Sequence, residues 1–152
     1  MITLEEVKAR QTELAEMIAS IERGSQGALL QLPETEIRLQ PGERYAGTVL
    51  DEAGQIKHHL VLLATKPDGQ LTWADAKTWA AAVGGELPTR QEQSLLFANC
   101  KDAFDANWYW SSEEHENASY AWSQHFYGGH QDNNRKSVEW CARAVRLIPI
   151  SA

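Results

Sequence analysis

The chain has 152 residues, 43% hydrophobic and 23% charged, with a net charge of -7, which suits one compact domain with an appendage. The acidic balance and scattered basic residues exclude a nucleic acid as partner, because binding a phosphate backbone takes clustered Lys and Arg. No run approaches the roughly 20 apolar residues of a bilayer helix, and Met1-Ile2-Thr3-Leu4-Glu5-Glu6 has no basic region before an apolar block. The expectation is therefore a protein without a membrane span or signal peptide, found in the cytoplasm of the producing cell or associated with a virion.

Residues 3–23 read as a helix, with Thr3 and Glu6 as its start signal and Gly24 as its end. Leu4, Val7, Gln11, Leu14, Ile18 and Ile21 recur at alternating spacings of three and four, the seam of a heptad repeat. So short a helix is marginal alone, so it either packs on its own domain or joins copies of the chain. The narrow stripe with charged flanks favours a homo-oligomer, dimer or trimer, with Gln11 as a polar residue in the seam. The organisation expected is an oligomerising helix over 1–24, a linker over 25–43 punctuated by Pro33 and Pro41, and a folded domain over 44–150.

Residues 45–50 and 58–65 are rich in β-formers around a polar stretch at 51–55, which predicts a hairpin. His58 and His59 then point to opposite faces, poor geometry for a shared metal, and read as ordinary strand residues. Lys66-Pro67-Asp68-Gly69 is a turn. Thr72 with Asp75 caps a helix whose apolar side is Trp73, Ala76, Ala80 and Val83, stopped by Gly84-Gly85. Thr89 with Glu92 repeats the capping pattern for a short helix with Leu95, Leu96 and Phe97 inward. Two helices set between groups of strands spell an α+β domain.

Residues 108–112 form the next strand, with Trp108 and Trp110 on one side and Tyr109 on the other. Between residues 120 and 127 the side chains alternate, assigning Tyr120, Trp122 and Phe126 to the core and Ser123, His125 and Tyr127 to display. Roughly four of the six tryptophans belong to the core on the usual burial tendency of this residue. Residues 137–147 give a closing strand. Cys100 and Cys141, with no Cys-x-x-Cys partner and no secretory signal, read as reduced, buried thiols.

Catalytic and metal motifs are sparse. There is no Gly-x-Ser-x-Gly turn and no glycine-rich phosphate loop. Glu113, Glu114, Glu116 and the run Asp132-Asn133-Asn134 offer oxygens to calcium, and His115, His125 and His130 offer nitrogens to a transition metal, but neither group has ligand spacing. Both read as solvated side chains, and no cofactor or metal is implied. What remains is a hydrogen-bonding set along two polar runs and the outward strand face: His115, Glu116, Asn117, Ser119, His125, Tyr127, His130, Gln131, Asp132, Asn133 and Asn134. Loops of this Tyr/Asn/Ser-rich composition serve recognition in other scaffolds, and these are the expected ligand-binding residues.

Leu87-Pro88-Thr89, Tyr109-Trp110-Ser111-Ser112, Ala121-Trp122 with Gly128, and Cys141-Ala142-Arg143-Ala144-Val145-Arg146 follow one another in order. Together they resemble a domain family typified by the C-terminal domain of the Legionella collagen-like protein, over roughly residues 70–148. The resemblance implies a C-type-lectin-like fold, shared with the variable proteins of diversity-generating retroelements and with phage receptor-binding proteins. It implies a non-enzymatic domain, phage or prophage encoded, that presents a recognition face to a protein or glycan surface ligand. Two other readings stay open. One is a relative of the formylglycine-generating oxidase, whose chemistry depends on a reactive cysteine pair near the C-terminus, whereas Cys100 and Cys141 are well separated. The other is a structural virion or host-interaction module without a small ligand. The Glu-Pro-Asn and Trp-Asn-Asp signatures of calcium-dependent lectins are absent.

Overall fold

The computed structural model describes residues 1–25, 27 and 29–150. Gln26 and Ala28, at the start of the expected linker, lie outside the described residues. The chain divides into two compact units, Met1–Leu32 and a larger one that begins at Pro33.

The first unit is built on α1 (Leu4–Ser25), which runs through Gly24 instead of stopping at it. Its start is a reciprocal cap: Thr3 N donates to Glu6 Oε2 at 2.8 Å and Glu6 N to Thr3 Oγ1 at 3.2 Å. No residue of α1 is buried, and the seam residues Leu4, Val7, Leu14, Ile18 and Ile21 are all exposed.

The second unit is a mixed α+β domain. Its elements are β1 (Arg44–Leu50), β2 (Ile56–Leu62), α2 (Trp73–Ala82), α3 (Arg90–Cys100), a 3₁₀ turn (Lys101–Ala103), β3 (Trp108–Glu114), β4 (Tyr120–His125), β5 (Gln131–Arg135) and β6 (Val145–Pro149). They form two small antiparallel sheets, β1-β2-β6 and β3-β4-β5. Residues 131–135 were expected to be a polar run and are instead an edge strand. Gln-Asp-Asn-Asn-Arg has no β-former, so its pairing, from Gln124↔Gln131 to Tyr120↔Arg135, is imposed by β4 and not by local propensity. The closing segment is broken as well. Trp140 and Cys141 make isolated bridges to Leu71 and Tyr109, and the strand resumes only at Val145.

Alternation along β3 sends neighbouring aromatics into different cores. Tyr109 packs with Ala46, Val49, Leu60, Leu62, Leu96 and Phe126, between the two sheets and α3. Trp110 packs with Leu63, Trp73, Ala76, Leu87, Ala121 and Ala144, against α2. The β3-β4-β5 sheet is therefore covered on both sides near its middle, which corrects the division of β4 into a core face and a display face. Ala121 and Ser123, on the side expected to be displayed, are fully buried, because small residues must lie beside Trp110 for α2 to approach. Trp122, expected in the core, is half-buried, while Phe126 is buried as expected. Two tryptophans, Trp73 and Trp110, are buried, and the remaining four are half-buried. Each buried indole has its acceptor: Trp73 Nε1 donates to Ser111 O and Trp110 Nε1 to Leu71 O, both at 2.8 Å.

Phe126 anchors the turn after β4. It stacks on Phe104 at 3.9 Å and meets Tyr109 and Phe97 edge-on. Gly129 closes that turn with φ of 81°, and a Cβ there would come within 2.7 Å of the Phe97 ring, so both conformation and space call for glycine. At the other sheet, Arg146 on β6 donates to Glu43 at 2.9 and 3.0 Å and to Arg38 O at 2.9 Å, fastening residues 38–43 to the domain.

Two outcomes follow from this packing. Trp110→Ala removes a ring that fills one core and should cost about 3–5 kcal/mol in urea unfolding, with Trp122→Ala costing clearly less because its ring is already half in solvent. The Arg146 guanidinium holds the Glu43 carboxyl below its ordinary value of 4.5. A carboxylate depressed on folding contributes fully above its unfolded pKa and loses that contribution as pH falls through the folded one. Glu43→Gln should therefore flatten the acid limb of the stability curve, measured by circular dichroism from neutral pH downward.

Candidate ligand-recognition surface

The first turn of α3 is where the two sheets are joined. Thr89 Oγ1 accepts from Glu92 N at 3.1 Å, and Glu92 Oε1 accepts from Thr89 N at 2.9 Å, a complete capping box. The second Glu92 oxygen lies 2.7 Å from His58 Nε2, and both side chains are buried. Gln91 Nε2 donates to Leu50 O at 3.0 Å, so two residues of this turn hold the β1-β2-β6 sheet. On the other side, Gln93 Nε2 donates to Tyr109 O at 3.0 Å and Arg90 Nε to Gln131 Oε1 at 3.0 Å. His58 is thus no ordinary strand residue. It shares the inward face of β2 with Leu60 and Leu62, and that alternation, with Glu92 at the third position of a capping box, was the signal available in the sequence.

A groove of about 720 Å³ opens at this joint, lined by Val49, Lys57, His58, Glu86, Arg90, Glu113 and Gln131 among others. Of the expected ligand-binding residues it contains Gln131 alone, and Gln131 is already engaged, donating to Arg90 O and to Gln124 Oε1, both at 2.8 Å.

The expected residues do not form one display face. Pairing in register with β4 distributes them over both sides of the sheet. On the side shared with Tyr109, Trp122 lies opposite Asn133, with the Arg90 guanidinium 3.6 Å over its ring and the His115 ring 5.1 Å away. The reverse side carries His125 and His130, whose rings are nearly parallel at 5.5 Å, each edge-on to Trp108 at 5.1 and 5.0 Å. Trp140 completes that group 6.3 Å from Trp108. Asn134 Nδ2 donates to Ser123 Oγ at 2.6 Å, and Ser123 Oγ donates to the Asp132 carbonyl at 3.2 Å, also on this side. Tyr127 stands apart on the turn after β4, 73% exposed, with Lys101 Nζ 5.7 Å from its ring.

Several expected residues shape their own turns. Asn117 Oδ1 accepts from Ser119 N at 3.0 Å and His115 Nδ1 from Asn117 N at 3.1 Å, while Glu116 is exposed. His125 Nδ1 accepts from Tyr127 N at 3.2 Å, which leaves Nε2 as the donor of the neutral ring. Trp108 and Trp140 are not among the expected binding residues; their half-exposed setting depends on the bridges that bring residues 140 and 141 beside β3 and the segment before α2.

Both cysteines are free, and burial pushes both thiols above their ordinary pKa. Among the described residues there is no group of three or more His, Cys, Asp or Glu arranged to hold a metal ion, and no helix is long and apolar enough to cross a membrane. No known protein-family model matches the chain, and a search of curated proteins finds no similar sequence.

The His58–Glu92 pair can be measured directly. His58→Ala should destabilise by about 1–3 kcal/mol, since it leaves a buried Glu92 oxygen without its partner. In a double-mutant cycle with Glu92→Ala, the second substitution should cost much less than it does alone; additive losses would show that the two side chains do not act together.

Proposed function

We propose that this chain is a non-enzymatic ligand- or receptor-binding domain on a C-type-lectin-like scaffold, held as a dimer or trimer by α1, with a protein or glycan surface as its partner. The observation that carries the reading is the shelf of four rings, Trp108, His125, His130 and Trp140, on the reverse side of the β3-β4-β5 sheet. Three of these rings are half-buried and His130 is exposed. Partly exposed rings, two of them on strands, beside hydrogen-bonding Asn134 and Asp132, suit a ligand that offers both apolar faces and polar edges, as sugars and peptide side chains do. Strand positions hold Trp108 and His125, and a bridge to Leu71 holds Trp140, before any ligand arrives, which lowers the ordering cost of binding.

Other features support the remaining parts. The uncovered seam of α1 has the 3-4 spacing of a coiled coil, and copies of the same helix supply a matching apolar stripe. The buried His58–Glu92 pair has both carboxylate oxygens committed to structure, and the thiols are kept protonated by burial, neither of which favours an oxidase. The phage or prophage origin and the virion association rest on the family resemblance alone.

The test is capture of ligands from a glycan array and from solubilised host-envelope proteins, by the intact chain and by His125→Ala with His130→Ala. The double variant should lose binding while keeping its stability within about 1 kcal/mol. Light scattering should give two or three copies for the intact chain and one for Leu14→Glu with Ile18→Glu. Undiminished binding would remove the shelf from the site, and a monomeric intact chain would remove the coiled coil.

A further inference from the structure

The turn after β2 and the segment before β6 meet over a small pocket that shares no residue with the aromatic shelf. Lys66, Gln70, Asp105, Tyr109, Cys141 and Arg143 line it, around a volume of about 170 Å³, room on the order of ten water positions. Arg143 is 5% exposed, and among the described residues no carboxylate lies within ion-pair distance of it. Its Nη1 and Nη2 donate to the carbonyls of Ala103 at 2.6 Å and Leu63 at 2.8 Å, and its Nε–H has no acceptor. A buried guanidinium is costly unless its charge is matched. Two neutral carbonyls and the Phe104 ring at 5.4 Å offset part of that cost and leave the charge itself unbalanced. The Nε is buried, so what the pocket receives from Arg143 is chiefly the field of its charge. Asp105 and Lys66, both exposed, add one negative and one positive charge to the lining, and solvent screens them alike, so the buried charge of Arg143 sets the sign of the pocket.

The rest of the lining supplies donors and apolar wall. Tyr109 Oη accepts from Asp105 N at 2.9 Å, so its own hydrogen is directed elsewhere, and burial pushes this phenol up to about 12, keeping it a donor. The Gln70 amide reaches Cys141 Sγ at 3.8 Å, a weak contact that a better acceptor would displace. Pro67 and Ala142 give the pocket apolar walls, which suit a short alkyl tail better than a fully hydrated inorganic anion.

We propose that this pocket binds a small carboxylate, drawn in by the buried charge of Arg143 and by Lys66, and hydrogen-bonded by Tyr109 and Gln70. Cys141 is a built-in reporter, since it is half-buried in the pocket lining while Cys100 is fully buried. The intact chain is treated with iodoacetamide in sodium butyrate, in butyramide at the same concentration, and in sodium chloride at the same ionic strength, and alkylation at Cys141 is followed by peptide mass spectrometry. Butyrate should slow the reaction saturably and neither control should. Lys66→Met with Gln70→Leu should raise the half-protecting concentration about tenfold, the loss of one charge-assisted contact. Butyrate should still raise the melting temperature of Cys141→Ser, which separates occupancy of the pocket from chemistry at the thiol. If Cys141 resists alkylation altogether, the same three solutes are compared through the backbone amide shifts of Gly69, Gln70 and Ala142. Equal effects of butyrate and butyramide, or no saturable effect in either measurement, overturn the proposal and leave the reading of the aromatic shelf untouched.

Discussion

Glu92 has two carboxylate oxygens, and the architecture of the domain depends on both being used. One closes the cap of α3 on Thr89 and the other holds His58 on β2. The neighbours Gln91 and Gln93 reach to β1 and β3, so a single helical turn fixes the separation and orientation of two sheets. Small sheets become stable once an apolar face is covered, and both of these share their core with α3. A buried polar pair of this kind adds little net free energy once its desolvation is counted. Its effect is to single out one arrangement, because apolar neighbours could slide past one another while His58 and Glu92 are satisfied in one register only.

The same joint explains why the polar side chains of the β3-β4-β5 sheet are not interchangeable surface. Gln124 and Gln131 bond to each other across β4 and β5, and Gln131 returns to the backbone of Arg90. These side chains belong to the joint. The reverse side, with Trp108, His125 and His130, is not tied into that joint; Trp110, Ala121 and α2 flank it on the same face, and Tyr109 and Phe126 back it from the other. Rigidity and exposure therefore coincide at Trp108 and His125.

Much of the fold is legible in the sequence because its signals are local. Thr72 with Asp75 and Thr89 with Glu92 start the two domain helices where the capping rule places them, and the first hairpin follows from its β-formers. β5 was illegible because its five residues are all polar and its strand character is borrowed from β4. The inward side of β4 was misread because alternation reveals a buried face only when the opposite face is open, and here both are covered. The partners of His58 and Arg90 lie 34 and 41 residues away, beyond any periodicity. Of the site, His125 and His130 could be read as displayed, whereas Trp108 and Trp140 had the look of ordinary core aromatics until the bridges beside β3 fixed their surroundings.

Sheet order carries a consequence for how the chain reaches this state. β2 lies between β1 and β6, yet β6 follows it by more than eighty residues, pairing Leu62 with Val145 and His58 with Pro149. A ribosome releases the β1-β2 hairpin long before its third strand exists, and during that interval Leu60, Val61 and Leu62 lie along an unpaired edge. Loops of that length close slowly, and unprotected apolar edges associate with one another. Synthesis is thus the period of greatest aggregation risk for this domain, and it ends when residues 145–149 add to β2.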